Sequence, residues 1–480
     1  MKPNLFRSAA ASLAAAFLLA ACATVGRDHE APKLELPAQF ASAPALVQGG
    51  MVEARWWERL DDPTLAALVQ RALAGNLELR SAFARLEQAR ALRGVAASDR
   101  LPSVDARASY EHREESETTP IGAFIPRTDI HSLGVDAAWE PDLWGRVRRA
   151  IEAADGQLAA SESDVRAVAV TLAAEVASAY IELNSAQRRL EIARANVALQ
   201  ERTLELVSSR VESGLVGPRD AAQASATVAS TRSRLPMLQA AARLASNRLA
   251  VLLGLPPGEL ESELASMRGL PRIPSQLVVG VPADLLRRRP DIVAAERRYA
   301  AEVARIGVAE AELYPRLVLS GVVGLASNGP EDLLDSDSGL FGIGPSLRWN
   351  LFDRNRARGR AEAQEQAAEI ARLAWEQSVL GALEETENAL SSFAHEQDRR
   401  AALELAAEHA RRTVELAQAQ YREGLTDFQA VVDSQRIVAG LEDDLASSEA
   451  AIAAHLIALY KALGGGFDTL EDVRVASTSR

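Results

Sequence analysis

The side chains that most often carry catalysis or bind metals are sparse and scattered in this sequence. Its six histidines lie far apart, with no spacing that would bring two of them onto one metal ion, and Cys22 is its single cysteine. The adjacent pair Glu384-Glu385 would point in different directions on a helix. Serine-nucleophile and phosphate-binding motifs are absent. The pattern predicts that the protein is not an enzyme and holds no metal or cofactor.

The single cysteine follows a segment with the features of a bacterial signal peptide. Two basic residues precede an apolar run over residues 9–21, which is shorter than the roughly 20 residues needed to cross a bilayer. The run ends in Leu-Ala-Ala-Cys, which resembles the lipobox of bacterial lipoproteins. We expect a signal peptide over residues 1–21 and lipidation of Cys22; an ordinary signal peptide with an incidental cysteine is the alternative. Ala23, in place of an aspartate, resembles a sorting signal for the outer membrane.

Composition and charge narrow the function class further. The 480 residues include 53 basic and 66 acidic ones, for a net charge of −13, and this acidity argues against a nucleic-acid partner. A hydrophobic fraction of 48% with only 5% aromatic residues is typical of long packed helices. After residue 22, charges interrupt every long apolar stretch. We therefore expect no transmembrane helix, so a membrane crossing would have to use β-strands.

The chain contains an internal repeat with an offset of 210 residues. The segment Arg210–Leu215 corresponds to Gln420–Leu425, and Trp139 corresponds to Trp349. Several matches at one offset predict two similar halves. We place these structural repeats at residues 60–255 and 284–466. A lipidated N-terminal segment (22–60) precedes them, a proline-rich linker (256–283) joins them, and a tail (467–480) follows.

Each half should begin with a helix of roughly 30 residues and continue with two strands. The expected strands are 103–112 and 130–140 in the first half and 316–326 and 340–350 in the second. Their apolar residues alternate, so each strand has one apolar face. This pattern fits a transmembrane barrel, and it fits a half-buried soluble hairpin equally well. Pro345 is unexpected in a paired strand.

Very long helices should follow the strands. The expected ranges are 143–211 and 356–422, followed by shorter helices over 218–253 and 426–463. Apolar residues recur at every seventh position in these segments, which predicts coiled-coil packing. Each long helix ends at a glycine before a short turn, which we call the first tip (Gly214–Pro218) and the second tip (Gly424–Asp427). Their apolar residues would either close the helix end or dock another protein.

One chain cannot form a transmembrane barrel by itself. Four strands leave unpaired backbone groups at the two edges of the sheet, and lipid offers these groups no hydrogen-bond partners. The smallest barrels have about eight strands. If the barrel interpretation holds, the chain must form an oligomer. A dimer would give eight strands around a filled interior, and a trimer would give twelve around a lumen.

Three motifs, together with the repeat, point to a known family. They are Glu140–Arg146 (EPDLWGR), Asp284–Asp291 (DLLRRRPD) and Tyr421–Leu425 (YREGL). From residue 56 to residue 466 the chain resembles the TolC-like outer-membrane factors of tripartite efflux systems, in the lipoprotein branch with NodT-type proteins. The resemblance implies a mainly α fold with a small transmembrane β part. It also implies a homotrimer, with a twelve-stranded β-barrel continued by a periplasmic α-helical coiled-coil barrel and belted by the linker and termini.

The resemblance also assigns roles to residues near the tips. Gly214, Leu215 and Val216 of the first tip, and Gly424, Leu425 and Thr426 of the second, match positions that contact a periplasmic adaptor protein. The closed periplasmic aperture of the family carries an acidic ring and a nearby arginine, which match Asp433 and Arg436. Gln429 stands where some relatives have a leucine ring, and Tyr421 matches a position that braces the closed state. A solvated ion pair between Asp433 and Arg436 is the plainer alternative.

The function implied is a passive exit duct in the cell outer membrane, lipid-anchored and extending into the periplasm. It would release drugs or other small molecules when opened by the adaptor and an inner-membrane pump of the RND type. Outer-membrane lipid and two further copies of the chain complete the expected partners. One alternative is the outer-membrane duct of a type I protein secretion system. Another, from a different class, is a lipid-anchored periplasmic coiled-coil scaffold without a pore.

Overall fold

The computed structural model describes residues 24–42, 47–48, 55–116, 118–120, 124, 127–265, 269–271, 273, 277–278 and 281–465. The signal peptide, Cys22 and the tail 467–480 lie outside the described residues, so what we expect of them stays a prediction. The chain divides into two compact units. Unit 1 comprises residues up to 33, 85–161 and 294–375, and unit 2 comprises 34–84, 162–293 and 376 onwards.

Helices account for most of the described residues. They are α1 (Pro63–Gly75), α2 (Leu77–Ser98), α3 (Arg146–Glu212), α4 (Pro218–Arg232), α5 (Arg234–Leu252), α6 (Pro282–Arg288), α7 (Pro290–Ala311), α8 (Arg354–Arg422) and α9 (Phe428–Ala462). The long helices α3 and α8 have 67 and 69 residues. At 1.5 Å per residue each is about 100 Å long.

The prediction of a single N-terminal helix is wrong, because Asn76 divides this segment into α1 and α2. The backbone of Asn76 is extended (φ −64°, ψ 130°). Its side-chain oxygen accepts from the Leu79 amide, and its side-chain nitrogen donates to the carbonyl of Leu252, each at 2.9 Å. Both bonds hold the break in place, and the second depends on a residue far along the chain.

The helix expected over residues 218–253 is likewise two helices, α4 and α5, divided at Ser233. Pro236 supplies the physical reason. It has no N–H to donate, and its ring crowds the carbonyl of Arg232 four residues earlier. Pro290 has a similar effect in the second half, where the extended Arg289 separates α6 from α7.

One helix has the length and composition of a membrane span, although none is expected from sequence. Among the described residues, α3 contains a window long and apolar enough to cross a membrane, by length and composition only. Within the protein, 67% of that window is buried. Burial of this extent is typical of a helix packed against other helices.

The strands form one antiparallel sheet in unit 1. They are β1 (Ser103–Glu114), β2 (Arg127–Trp139), β3 (Arg316–Ser327) and β4 (Gly339–Arg348), in the order β1-β2-β3-β4. Pro345 lies in β4, opposite Leu319. Since β4 is an edge strand of the sheet, this position can accommodate a residue without an N–H. Outside this sheet, Val47–Gln48 pairs in parallel with Leu277–Val278.

The core of unit 2 includes large aromatic residues. Trp56 and Trp57 are completely or almost completely buried, and the ring of Trp56 stacks on that of Tyr460 at 5.2 Å. A smaller apolar cluster in unit 1 joins Val303 and Ile306 of α7 to Ala368 of α8. The sheet contributes little to either core, because most of its large apolar side chains stay exposed.

Candidate functional site: the apolar strand face and the helix tips

The larger apolar side chains of all four strands lie on one face of the sheet, which we call the apolar strand face. The register places Ala106 opposite Val135, Val135 opposite Val323, and Val323 opposite Phe341. Phe341 is 77% exposed, Ile343 78% and Val323 57%. A soluble half-buried hairpin would cover this face with other parts of the chain. Exposure across four strands is instead what lipid-facing strands show.

Aromatic residues mark both ends of the apolar strand face. Trp139 and Trp349, related by the repeat, donate their indole N–H groups to the carbonyls of Arg100 and Leu313, at 3.0 and 3.2 Å. Tyr110 lies towards the other end, opposite His131. Eight residues separate Trp139 from His131, which is about 26 Å along a strand. The lipid-facing band of outer-membrane barrels is about 25 Å tall and has aromatic residues at both borders.

The opposite face of the sheet carries polar and small side chains. Asp105 lies directly across from Asp136 in the register. Beside them is an open cavity of about 340 Å³, lined also by Ser320, Gly342 and Gly344. A soluble half-buried sheet also has one polar and one apolar face, but it covers the apolar one, which is exposed here. The two faces therefore fit a wall between lipid and water.

The EPDLWGR motif builds the junction between β2 and α3. Glu140 accepts hydrogen bonds from Arg146 and Arg316. Burial raises the pKa of Glu140, but these two guanidinium groups more than offset the effect and hold it below its usual range. Asp142 accepts from the backbone amides of Val147 and Arg148 at 3.1 and 2.9 Å, which caps the start of α3.

The DLLRRRPD motif builds a second junction, in unit 2. The buried Arg289 donates to Asp291 at 2.7 Å, to Glu385 at 2.6 Å and to the carbonyl of Ala462 at 3.1 Å. It thereby ties the start of α7 to the middle of α8 and the end of α9. Asp284 accepts from the Val281 amide at 3.1 Å and caps α6. These contacts give the motif a structural role.

Each tip is closed by a glycine in the left-handed region. Gly214 has φ +68° and Gly424 has φ +74°, so the chain can turn back on itself without the strain that a β-carbon would bring. Leu215 and Leu425 each donate a backbone N–H to the carbonyl five residues earlier, at 2.9 Å. Their side chains are 70% and 77% exposed. An exposed leucine does little to close a helix end, and this favours the docking interpretation.

Behind the tips lies a core that both halves of the chain share, which we call the tip core. Its buried residues come from four helices: Val207 of α3, Ala224 of α4, Ala417 and Tyr421 of α8, and Phe428, Val431 and Val432 of α9. Val216 of the first tip packs against it. The remaining tip residues named from sequence, Thr426 among them, are not members of this cluster.

Arg210 joins the two halves at the tip core. Its guanidinium donates to the carbonyls of Tyr421 and Arg422 at 2.9 and 2.7 Å and lies 4.9 Å from the centre of the Tyr421 ring. These carbonyls are the last two of α8, so no amide of that helix is placed to donate a hydrogen bond to them. Tyr421 therefore contributes its backbone and its ring, since its buried hydroxyl has no partner among the described residues.

Asp433 and Arg436, the acidic and basic residues expected at the aperture, do not pair with each other in the described part of the chain. Asp433 accepts from the side-chain amide of Gln429, whose oxygen in turn accepts from Gln223. Arg436 is exposed and forms no ion pair within the described part of the chain. The plain ion-pair alternative is therefore wrong for a single chain.

Sequence reasoning missed Gln223 and Arg210. Gln223 could have been found, because it stands 210 residues before Asp433 and is its counterpart in the first half. No local sequence pattern predicts the contacts of Arg210, since its partners lie 211 and 212 residues away.

Known proteins match nearly the whole chain. Residues 68–255 and 281–465 match the family described as outer membrane efflux protein. Nodulation protein T of Rhizobium leguminosarum bv. viciae is 31% identical over 466 residues, which cover 96% of this chain and 94% of that protein. The pyoverdine export outer membrane protein OpmQ of Pseudomonas putida is 32% identical over 438 residues, covering 90% and 92%. The solved structure of the outer-membrane channel OprN is 39% identical, with a TM-score of 0.87 and coverage of 92% and 99%.

Proposed function

Because the chain belongs to the outer membrane efflux protein family, we propose that it is the outer-membrane channel of a tripartite efflux pump. It would be a passive exit duct for drugs or other small molecules. The observation that carries the proposal is the apolar strand face, which four strands leave exposed. Strands of this kind need lipid around them. A scaffold anchored only through Cys22 would have no use for such a face.

The edges of the sheet support a homotrimer. In the described part of the chain, the outer edges of β1 and β4 pair with no other strand. Open edges in lipid leave backbone groups unsatisfied, so copies of the chain must close the ring. Three copies would supply twelve strands, enough to enclose a lumen lined by the polar face of the sheet.

The work of transport must come from partner proteins. The sequence has no phosphate-binding loop, so an inner-membrane pump, in our proposal of the RND type, supplies the energy. A periplasmic adaptor would join that pump to the duct and dock at the tips, where Leu215 and Leu425 are exposed. Lipid attached to Cys22 would anchor the N-terminal segment in the outer membrane.

We place the periplasmic aperture at Asp433, with Gln429, Arg436 and Tyr421 as supporting residues. Three aspartates brought together by trimer formation would repel one another, so contacts around them must hold the aperture closed. Adaptor docking would break those contacts. The similarity to a pyoverdine exporter favours small molecules over the cargo of type I secretion.

Planar-bilayer recordings of the purified protein test the proposal. We expect a defined conductance, together with trimers that resist dissociation by heat in gel electrophoresis. A folded protein that stays monomeric without detergent and gives no conductance would refute the duct and favour the scaffold. Export of an unfolded polypeptide in place of small dyes, in cells expressing the protein, would favour type I secretion.

A further inference from the structure

We propose that, at the sheet, the second half of one copy meets the first half of the next copy in the same way as the two halves meet within one chain. The proposal fixes a strand register, with Leu347 of β4 opposite Ala108 of β1 in the next copy. It also names an anchor, Phe352, which packs on Leu101 and Pro102 of that copy. It rests on the proposed trimeric duct and specifies the contact between its copies.

The strand hairpins of the two halves are equivalent residue by residue. In the first half, Ala106 of β1 lies opposite Val135 of β2. In the second half, Leu319 of β3 lies opposite Pro345 of β4. These second-half positions follow their first-half counterparts by 213 and 210 residues. The helices before the hairpins, α2 and α7, both have 22 residues and also begin 213 residues apart. A contact between β2 and β3 can therefore be transferred to β4 and β1 by these two offsets.

The two halves of one chain meet in the sheet where β2 pairs with β3. There Ala137 lies opposite Gly321. The two offsets carry this pair to Leu347 of β4 and Ala108 of β1. Within the described part of the chain, the outer edges of β4 and β1 pair with no other strand. Lipid offers their backbone groups no partners, so a second copy must supply them, and the repeat predicts the register in which it does.

A tryptophan joins the two halves where β2 leads into α3. The ring of Trp144 stacks on that of Tyr314 with their centres 4.8 Å apart, and its indole N–H donates to the carbonyl of Pro315 at 2.8 Å. Trp144 stands two residues before the start of α3, and Pro315 directly precedes β3. The contact thus ties the start of a long helix in one half to the start of a strand in the other.

The counterparts of this contact lie exposed in the single chain. Phe352 likewise stands two residues before the start of α8, in the sequence Leu-Phe-Asp-Arg where the first half has Leu-Trp-Gly-Arg. Pro102 directly precedes β1. The side chain of Phe352 is completely exposed, and that of Leu101 is 70% exposed. Two large apolar side chains left uncovered at the two open edges of one sheet fit a contact between copies.

The helices that adjoin the sheet show the same complementarity. Within one chain α3 and α7 approach closely across the halves, since a methyl group at Gly156 would lie 3.1 Å from the β-carbon of Ala301. Ala301 and Ala160, which is one turn after Gly156, are fully buried. Their counterparts are Gln88 on α2 and Ile370 on α8, and both are exposed. Positions that the halves cover within a chain are therefore uncovered on the helices that would meet the next copy.

Disulfide formation in outer-membrane fractions of cells expressing the full-length protein tests the register. Residues directly opposite each other on antiparallel strands have Cα atoms about 4.5–5.5 Å apart, which suits a disulfide. Leu347→Cys combined with Ala108→Cys in one chain should therefore cross-link copies into dimers and trimers on non-reducing gels. Within one chain the two positions lie on strands about 14 Å apart, so they cannot react with each other.

Leu347→Cys combined with Tyr110→Cys, two residues along β1, is the matched control. Each single variant shows what Cys22 contributes. We expect strong cross-linking in the Ala108 pair alone. Stronger cross-linking in the Tyr110 pair would overturn the register, as would no cross-linking of either pair in protein that still forms heat-resistant trimers. If the wild-type protein forms no such trimers, the proposed trimer itself fails, and this contact fails with it.

Phe352→Ala tests the anchor. Because this side chain is completely exposed in the single chain, its removal leaves the fold of each copy unchanged but deletes three apolar contacts from a trimer. We expect the trimer to dissociate several degrees lower on heated gels, and Phe352→Trp to keep the wild-type behaviour. Phe124→Ala removes another exposed phenylalanine, outside the strands, and should change nothing. A wild-type dissociation temperature in Phe352→Ala would show that lipid alone covers the ring, and would overturn the anchor.

Discussion

The side-chain amide of Gln429 donates to both carboxylate oxygens of Asp433, one helical turn further along α9, at 2.9 and 3.0 Å. The glutamine holds the carboxylate in place and joins it to Gln223 in the other half of the chain. The closed aperture we propose is therefore polar, and its support comes from amide groups in place of the expected arginine.

Replacing the aspartate should open this aperture. We expect Asp433→Ala to raise the conductance in planar bilayers severalfold, because it removes the acceptor of the Gln429 amide and leaves a smaller side chain in the aperture. Asp444→Ala is the matched control, since Asp444 is an exposed carboxylate further along the same helix. Equal conductance in both variants and the wild type would place the gate elsewhere.

Adding a second carboxylate should make the aperture sensitive to pH. In Gln429→Glu, two acidic side chains four residues apart repel each other at pH 7, and trimer formation multiplies the effect. We expect a raised conductance at pH 7 that falls towards that of the wild type at the same pH, as acidification protonates the introduced glutamate. Gln420→Glu places the same charge on an exposed position of α8. The idea fails if that variant shows the same pH profile.

Neighbouring positions on β3 should respond in opposite ways to an arginine. Val323 lies on the apolar strand face, and Val322 lines the cavity on the other face. An arginine facing lipid costs about 2–4 kcal/mol near the bilayer midplane. Val323→Arg should therefore reduce the amount of heat-resistant trimer in outer-membrane fractions, whereas Val322→Arg should assemble and shift ion selectivity towards anions. Equal assembly of the two variants would contradict a lipid-facing strand.

The N-terminal segment should loosen in acid. Glu387 accepts from the backbone amides of Ala41 and Ser42 at 2.6 and 2.8 Å. Burial raises the pKa of Glu387, but these two donors outweigh the effect and lower it. Because the folded-state pKa is depressed, the contribution is complete above the ordinary glutamate pKa and is lost as the pH falls through the folded value.

Hydrogen exchange measures this loosening directly. We expect the protection of residues 41 and 42, corrected for the intrinsic effect of pH, to fall on acidification. In Glu387→Gln it should be low already at pH 7. Glu384→Gln, an exposed residue on the same helix, serves as the control. Full protection in Glu387→Gln would show that the carboxylate does not hold the segment.

Arg289 should matter for stability in a way that surface arginines do not. Arg289→Met leaves the Ala462 carbonyl and two carboxylates without their donor, at a cost of about 2 kcal/mol. We expect the trimer to dissociate several degrees lower in thermal scans. Arg243→Met breaks only a pair with Glu261 whose side chains are 70% and 62% exposed, and it should change little. A large effect in both variants would argue for a general loss of charge.

Much of the fold could be predicted because its signals are local. The alternation of apolar residues over 317–325 needs no distant information, and β3 lies over Arg316–Ser327 as a strand with one apolar face. The long helices could be predicted because proline is absent and heptads persist. Their ends at Gly214 and Gly424 follow from the same local rule, which assigns glycine to left-handed helix ends.

The features that sequence did not predict depend on contacts between distant residues. The break at Asn76 rests on Leu252, 176 residues away. The side-chain hydrogen bonds of Arg210 and one contact of Gln429, that with Gln223, cross to the opposite half of the chain. Pro236 is the exception, since its effect on the preceding turn was visible locally. For the candidate site, sequence reasoning named Asp433, Gln429, Tyr421 and the tips, but it missed Gln223, which contacts Gln429, and Arg210, which contacts Tyr421.

The internal duplication leaves the two halves unequal at the position where we propose the aperture. Gln223 occupies in the first half the place that Asp433 occupies in the second. In a trimer, three copies of Asp433 and three of Gln223 would make up a ring of six homologous positions, and every second position would be neutral. Glutamine and glutamate codons differ by a single nucleotide, so one base substitution at codon 223 would double the number of charges around that ring. A single mutation could thus change the permeability of the cell envelope without altering the lipid-facing strands or the tips.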